Sequence, residues 1–351
     1  MKLNFEKKTL ERRHSLAIAR GRFAGTENLF VEVSHEGITG LGEAAAVDHG
    51  GSEQTAASSE KALRGLMDDL SSVAPWQVLH IEKLALRREI GSAARAALDI
   101  ACWDWLAKKA GLPLYRLLGL NKEQPLTSVT VGIEAPERVG ELASEKLAHT
   151  GVKVLKLKLG GEGGIEADKA RYLAARDAAG PSVALRIDAN GGWTTADAVR
   201  MNDWLAMQRC EYVEQPLDPG ASIEDLAEVY KNRRLPVLLD EPIFGSKDVA
   251  RYASVCDGVN VKLMKSGGIS EAVRAVHTAR AHGLSTMLGC FGESSVSISA
   301  AASLGALLDY VDLDSNLNLD PDPAVGASLV EGRLEPRECP GHGARLHEEA
   351  R

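Results

Sequence analysis

Six charged residues stand at the ends of apolar runs, and together their types suit one kind of chemistry. VLKLKLG carries Lys156 and Lys158 two residues apart. Side chains alternate across a strand, so both ammonium groups would share one face, about 7 Å apart, while Leu155, Leu157 and Leu159 take the other. An isolated pair of this kind is ordinarily salt-bridged or snorkels to solvent. The next three runs change its weight, because each ends in a carboxylate: Asp188 in ALRIDAN, Glu214 in EYVEQP and Asp240 in PVLLDEP. One such acid is an ordinary helix N-cap. Three on neighbouring strands crowd like charges, at a cost on the order of several kcal/mol unless a cation lies among them. Oxygen ligands without His or Cys favour Mg2+, one ion per subunit, over zinc.

The sixth residue is Lys262 in GVNVKLMKSGG. Lys265 competes for the same role; strand parity favours Lys262, since Val261 would then face the helix layer. A substrate carboxylate on Mg2+ between two ammonium groups would have its α-proton acidified, with the resulting enediolate stabilised by the metal and Lys156. One lysine would remove the proton and the other return one to the opposite face. A lysine near its reference pKa of about 10.4 is a poor base at neutral pH. Both should therefore be lowered toward roughly 7 to 8 by the metal and by each other.

The elements that must position these groups repeat. From about residue 125, a short apolar run, a polar or Gly-bearing corner and an amphipathic helical pattern recur: LTSVTVGI, VKVLKLKLG, VALRIDAN, EYVEQP, LPVLLDEP, GVNVKLM, LSTMLGC and YVDLD are the runs. From Lys158 through Asp188, Glu214, Asp240, Lys262, Leu288 and Asp312 the spacing is 30, 26, 26, 22, 26 and 24 residues, the length of a βα unit. Eight such strands predict an α/β fold of the (β/α)8-barrel type, whose active site lies at the C-terminal strand ends. Strands two and six would then be opposed, placing Lys158 and Lys262 across the metal from each other. Residues 1–124 are patterned as an α+β capping domain, completed by the turn-rich segment 321–351, with residues 125–320 as the catalytic barrel.

Composition narrows the partners. Of 351 residues, 44% are apolar and 26% charged, so a sizeable core is available and disorder is excluded. A net charge of −8 provides no basic field for nucleic acid or anionic lipid. The N-terminal residues lack a signal peptide's apolar stretch, and the apolar run 296–308 falls short of the roughly 20 residues a membrane span needs. Five scattered cysteines, none in a CxxC pair, suit a reducing cytoplasm. A homo-oligomer is left open.

Taken together, Lys156, Lys158, Asp188, Glu214, Asp240 and Lys262 resemble the enolase superfamily, specifically its muconate-lactonizing-enzyme subgroup. The resemblance covers nearly the whole chain and includes the ALDIACWDWLAKKAG, GEAAAV and PGHG segments. It implies a modified (β/α)7β barrel with an N-terminal cap, and Mg2+ as cofactor. Within the subgroup, Asp312 and Asp314 in YVDLDSN resemble the DxD motif by which dipeptide epimerases hold the substrate α-ammonium. Two carboxylates gain from such a cation and repel a purely anionic ligand. Glu293 in GCFGESS also matches a family position, with a structural role as the alternative. HSLAIARGRF resembles the specificity loop of L-Ala-D/L-Glu epimerases, with Arg20 in the carboxylate-binding place. A second capping loop carries Asp48 and His49, where the acid would instead favour a cationic side chain, and the sequence does not choose.

The resemblance thus implies a Mg2+-dependent dipeptide epimerase that inverts the α-carbon of the C-terminal residue, with L-Ala-D/L-Glu and peptidoglycan peptide metabolism as the specific expectation. The alternatives are a cycloisomerase, an o-succinylbenzoate synthase or an N-acylamino acid racemase. A mandelate-racemase-like activity is disfavoured, because none of the nine histidines falls at the C-terminal end of a barrel strand.

Overall fold

The computed structural model describes residues 1–49 and 52–348. Three antiparallel strands open the chain, β1 (Lys2–Ile18), β2 (Gly21–His35) and β3 (Ile38–Ala44), followed by the short pair β4 (Val47–His49) and β5 (Ser52–Gln54). The β2–β3 turn lies at Glu36 and Gly37, both at positive φ. The sheet packs on the helix Ser92–Ala110, and the contact is close enough to demand glycine. A Cβ at Gly40 or Gly42 would sit 2.0 Å from the carbonyl oxygens of Ala101 and Ala97 respectively.

Eight parallel strands follow: β6 (Val129–Val131), β7 (Val154–Lys158), β8 (Ala184–Asp188), β9 (Val213–Glu214), β10 (Val237–Leu239), β11 (Gly258–Lys262), β12 (Ser285–Gly289) and β13 (Tyr310–Asp312). They neighbour one another in chain order, and a bridge between Thr127 and Val311 joins the two edges into a barrel. A helix follows each of the first seven strands; among the described residues none follows the eighth, where the chain turns into the single 3-10 turn Asn316–Asn318. The fold is therefore the (β/α)7β barrel with an N-terminal α+β layer. Each strand lies inside the run from which it was expected, though several are shorter.

Barrel strands are covered on both sides, which explains their composition. Leu155, Leu157 and Leu159 are buried against the helix layer, leaving the alternate positions to line the interior. Side-chain caps start the intervening helices: Thr194 Oγ1 accepts the Asp197 N–H at 3.2 Å, and Ser222 Oγ that of Asp225 at 3.0 Å. The cap meets the barrel mouth through the β1–β2 hairpin, where Ala17 O accepts the Ile133 N–H at 2.8 Å and Arg22 pairs with Glu134 at 2.7 Å. The C-terminal segment lies against the same layer, with His342 N–H donating to Asp104 Oδ1 at 2.9 Å and Leu114 N–H to Gly341 O at 2.8 Å. No helix among the described residues is long and apolar enough to cross a membrane.

Candidate active site

Parallel register carries the charged strand ends to one level. Lys158 is paired with Asp188, and Asp188 with Glu214. Asp240 follows directly on β10. The three carboxylates are buried, and each offers an oxygen within 4.8 Å of the others. Lysines from β7 and β11, the strands that flank the acid-bearing β8–β10, reach this trio from its two ends. Lys158 Nζ lies 2.6 Å from Asp188 Oδ2 and Lys262 Nζ 2.7 Å from Asp240 Oδ2. Lys156 Nζ lies deeper, 2.7 Å from Glu214 Oε2, 3.4 Å from Asp188 Oδ2 and 2.6 Å from Asp312 Oδ2. Lys265 belongs to a different environment: its fully buried ammonium donates to Asp240 Oδ1 at 2.5 Å, to Asp240 O and to Asn260 O at 3.1 Å.

Crowding registers in the protonation equilibria. Burial, then Asp188, pushes Glu214 up to about 8. For Asp188 burial works in the opposite sense to Lys158 and Lys156, and the lysines prevail, lowering it to about 2. Asp240 is likewise held well below the usual carboxylate range, Lys262 and Lys265 outweighing burial. Burial would lower Lys262, but Asp240 and Glu214 win and raise it above its usual value. Its nearest neighbours are carboxylates, whereas the lowering expected from the sequence is the work of the metal and of the second lysine. A divalent cation bound to those acids would pull the other way.

The donor set fits such an ion. Glu214 Oε2 is buried with the Lys156 ammonium 2.7 Å away but no hydrogen bond along its lone pairs, and three carboxylates with no His or Cys suit a hard cation.

The remaining expected residues divide. Asp312 is brought to the cluster, with Oδ1 accepting from Ser128 Oγ at 2.5 Å and Oδ2 from Lys156. Asp314 lies two residues beyond the end of β13, and its Oδ2 accepts the Thr130 N–H at 2.6 Å across the seam between β13 and β6. Burial, then Asp312, raises its pKa, with Lys146 opposing. Glu293 is buried, accepts the Phe291 N–H at 2.8 Å and is pushed up to about 8 chiefly by burial. Arg20, on the β1–β2 turn, reaches the mouth but is already engaged: Nη2 lies 2.6 Å from Glu241 Oε1 and Nη1 donates to Asn190 O at 3.0 Å. Asp48 and His49 end β4, and their side chains lie outside the described residues. Sequence reasoning missed Glu241, Asn190 and Asn260. Of these, Asn260 alone left a trace, standing two residues before Lys262 and hence on the same strand face.

Comparison with known proteins now decides the family. Residues 138–350 match the model of the enolase C-terminal domain-like family, and residues 4–119 that of the mandelate racemase / muconate lactonizing enzyme N-terminal domain. The chain belongs to the enolase superfamily. A hydrophobic dipeptide epimerase of Roseobacter litoralis is 48% identical to it, with 99% of each chain covered. An L-Ala-D/L-Glu epimerase of Bacteroides thetaiotaomicron is 34% identical, with 98% of this chain and 87% of the relative covered. Among solved structures, a dipeptide epimerase of Enterococcus faecalis complexed with Mg and the dipeptide L-Leu-L-Tyr superposes with a TM-score of 0.91 at 33% identity, covering 99% of both chains.

Proposed function

We propose that this protein is a Mg2+-dependent dipeptide epimerase, an isomerase that inverts the α-carbon of the C-terminal residue of its substrate. The observation that carries the reading is the buried trio Asp188, Glu214 and Asp240, flanked by Lys158 from one side and Lys262 from the other. Asp188, Glu214 and Asp240 would hold one Mg2+ per subunit. The ion would neutralise the substrate carboxylate and so acidify the neighbouring C–H. Lys158 and Lys262 are the two acid/base groups, each serving one face of the α-carbon, with their roles exchanged for the opposite epimer. Lys156, whose ammonium form is favoured well beyond the ordinary by Asp312, Glu214 and Asp188 despite burial, is a fixed positive charge. It stabilises negative charge that develops on the substrate.

Substrate recognition falls to the rim. Asp314, with Oδ2 on Thr130 N–H, would present Oδ1 to the α-ammonium, and Asp312 supports it from below. Glu293 closes the β12 side. The division of labour follows the fold, with residues 125–320 as the catalytic barrel and 1–124, completed by 321–351, as the cap that shapes the second-residue subsite. For that residue we rank a hydrophobic side chain first and glutamate second. Arg20 already pairs with Glu241, so a substrate carboxylate would have to displace a buried acid. The name of the relative at 48% identity supports the same order. Five free thiols suit a cytoplasmic setting, and peptidoglycan peptide metabolism would go with the glutamate alternative.

The test is deuterium uptake. Dipeptide libraries incubated with the protein and Mg2+ in heavy water should gain one mass unit at the C-terminal residue, with L-Ala-L-Leu types ahead of L-Ala-L-Glu. Lack of uptake across all libraries would remove the epimerase assignment, and preference for L-Ala-L-Glu would reverse the ranking.

A further inference from the structure

Each acid of the trio has one oxygen held by a donor other than the lysine that faces it. Asp188 Oδ1 accepts the Asn190 backbone N–H at 2.8 Å, Glu214 Oε1 accepts from Asn260 Nδ2 at 2.8 Å, and Asp240 Oδ1 accepts from Lys265 Nζ at 2.5 Å. The other oxygens, Asp188 Oδ2, Glu214 Oε2 and Asp240 Oδ2, are those that face Lys158, Lys156 and Lys262, and Asp188 Oδ2 alone also accepts from a second side chain, Asn190 Nδ2 at 3.2 Å. The donors are as deeply placed as the acids: Asn260 and Lys265 are 0% and 1% exposed. Lys265 is itself fixed, because the carbonyls of Asp240 and Asn260 also accept from its ammonium. It stands on the single helical turn Leu263–Ser266 directly after β11, so its position is set by the strand that carries Asn260 and Lys262.

Tying one oxygen of each acid limits how a cation is bound. Mg2+ demands an octahedron at about 2.0–2.1 Å and suits carboxylates that give one oxygen each, whereas Ca2+ takes 6–8 oxygens and commonly uses both oxygens of an acid. We propose that Asn260 and Lys265 are positioning residues that keep Glu214 and Asp240 to one oxygen each and thereby select Mg2+ over Ca2+. This rests on the metal-dependent reading above. The roles are not interchangeable with general charge balance: removing the Lys265 charge alters attraction for both divalent ions alike, so the ratio of their affinities isolates geometry from electrostatics.

The experiment is direct calorimetric titration of the metal-free protein with Mg2+ and, separately, Ca2+, with folding checked by thermal melting. In Lys265→Met and Asn260→Ala, the Ca2+-to-Mg2+ affinity ratio should rise about tenfold or more over the wild type, because a freed oxygen of Asp240 or Glu214 can join the shell of the larger ion. Lys265→Gln, which keeps a donor toward Asp240 Oδ1 without the charge, should stay near the wild-type ratio. An unchanged ratio in Asn260→Ala, or a shift in Lys265→Gln as large as in Lys265→Met, overturns the proposal; the Asn260 arm decides it if Lys265→Met does not fold. Failure of the wild type to bind either ion would overturn the metal-dependent reading as well, whereas normal binding with an unmoved ratio sinks only the selection argument.

Discussion

Two barrel strands carry the same motif, a pair of like charges two residues apart, and the structure treats them differently. Lys156 and Lys158 both lie within β7, whose ladder continues to Lys158 against Asp188. Both therefore face the interior and reach the acid trio. Asp312 is the last residue of β13, and Asp314 lies beyond the ladder, where the chain turns toward the 3-10 turn Asn316–Asn318. Asp312 turns inward to Lys156 and Ser128, whereas Asp314 reaches across the seam to Thr130 N–H. Period-two reasoning holds while a strand lasts; past its final ladder bond, the turn decides where a side chain goes. The inner members, Lys156 and Asp312, neutralise each other in the barrel; of the outer members, Lys158 stays on the acid trio and Asp314 also lines a cavity with Glu145, Lys146 and His149 of the helix Pro136–Thr150.

That contrast predicts outer variants that impair chemistry or binding and inner variants that impair folding. The largest effect belongs to Lys158. Lys158→Ala should lower epimerisation and α-proton exchange by about 10³-fold or more, as expected when a positioned proton-transfer group is lost, while Mg2+ binding by calorimetry persists. Lys262→Ala should match it, and retained turnover in either variant breaks the two-lysine assignment. Next comes the inner pair. Lys156→Met leaves Asp312 and Glu214 buried without their cation, and breaking a buried pair this way costs about 3–5 kcal/mol. Urea unfolding should show that loss, with Asp312→Asn losing less because Lys156 keeps Glu214 and Asp188. Equal losses in inner and outer variants would erase the distinction.

How far the sequence reaches follows from the same physics. Strand order and acid placement were legible because each depends on local pattern: an apolar run ending in a charge, repeated at the length of a βα unit. Parity favours Lys262 over Lys265, and the structure gives the two different settings: Lys262 ends β11 on Asp240 Oδ2, while Lys265 is buried on Asp240 Oδ1 and two backbone carbonyls. The partners of these groups were not legible. Arg20 meets Glu241 only because the hairpin crosses the mouth, a separation of 221 residues. Asn260 binds Glu214 only once β9 and β11 are brought round β10. The first strand escaped notice because KLNFEKKTLERRHSLAI is mostly polar; it persists through pairing with β2, whose apolar face packs on the helix Ser92–Ala110.

The outer carboxylate gives the sharper, smaller test. Asp314→Asn should raise KM for a dipeptide about 10- to 100-fold, the loss of a charge-assisted contact of roughly 1.5–3 kcal/mol, with kcat and unfolding little changed. An N-acetylated dipeptide, lacking the cation, should not register the substitution. The sign of its pH dependence follows from burial and Asp312, which raise the Asp314 pKa. As pH falls through that raised value, the carboxylate is protonated and loses its hold on the ammonium, so KM should begin to climb at a higher pH than an ordinary aspartate would give. Asp314→Asn should abolish that climb. The smallest change is expected at Arg20: on L-Ala-L-Leu, Arg20→Met should alter kcat/KM no more than about fivefold, because buried Glu241 keeps its Asn190 Nδ2 donor at 3.2 Å and the loss is that of roughly one net hydrogen bond, about 1 kcal/mol. A larger loss confined to L-Ala-L-Glu would instead show that Arg20 leaves Glu241 for a substrate carboxylate, making the hairpin tip, like Asp314, a place where a side chain's direction is set by what it binds.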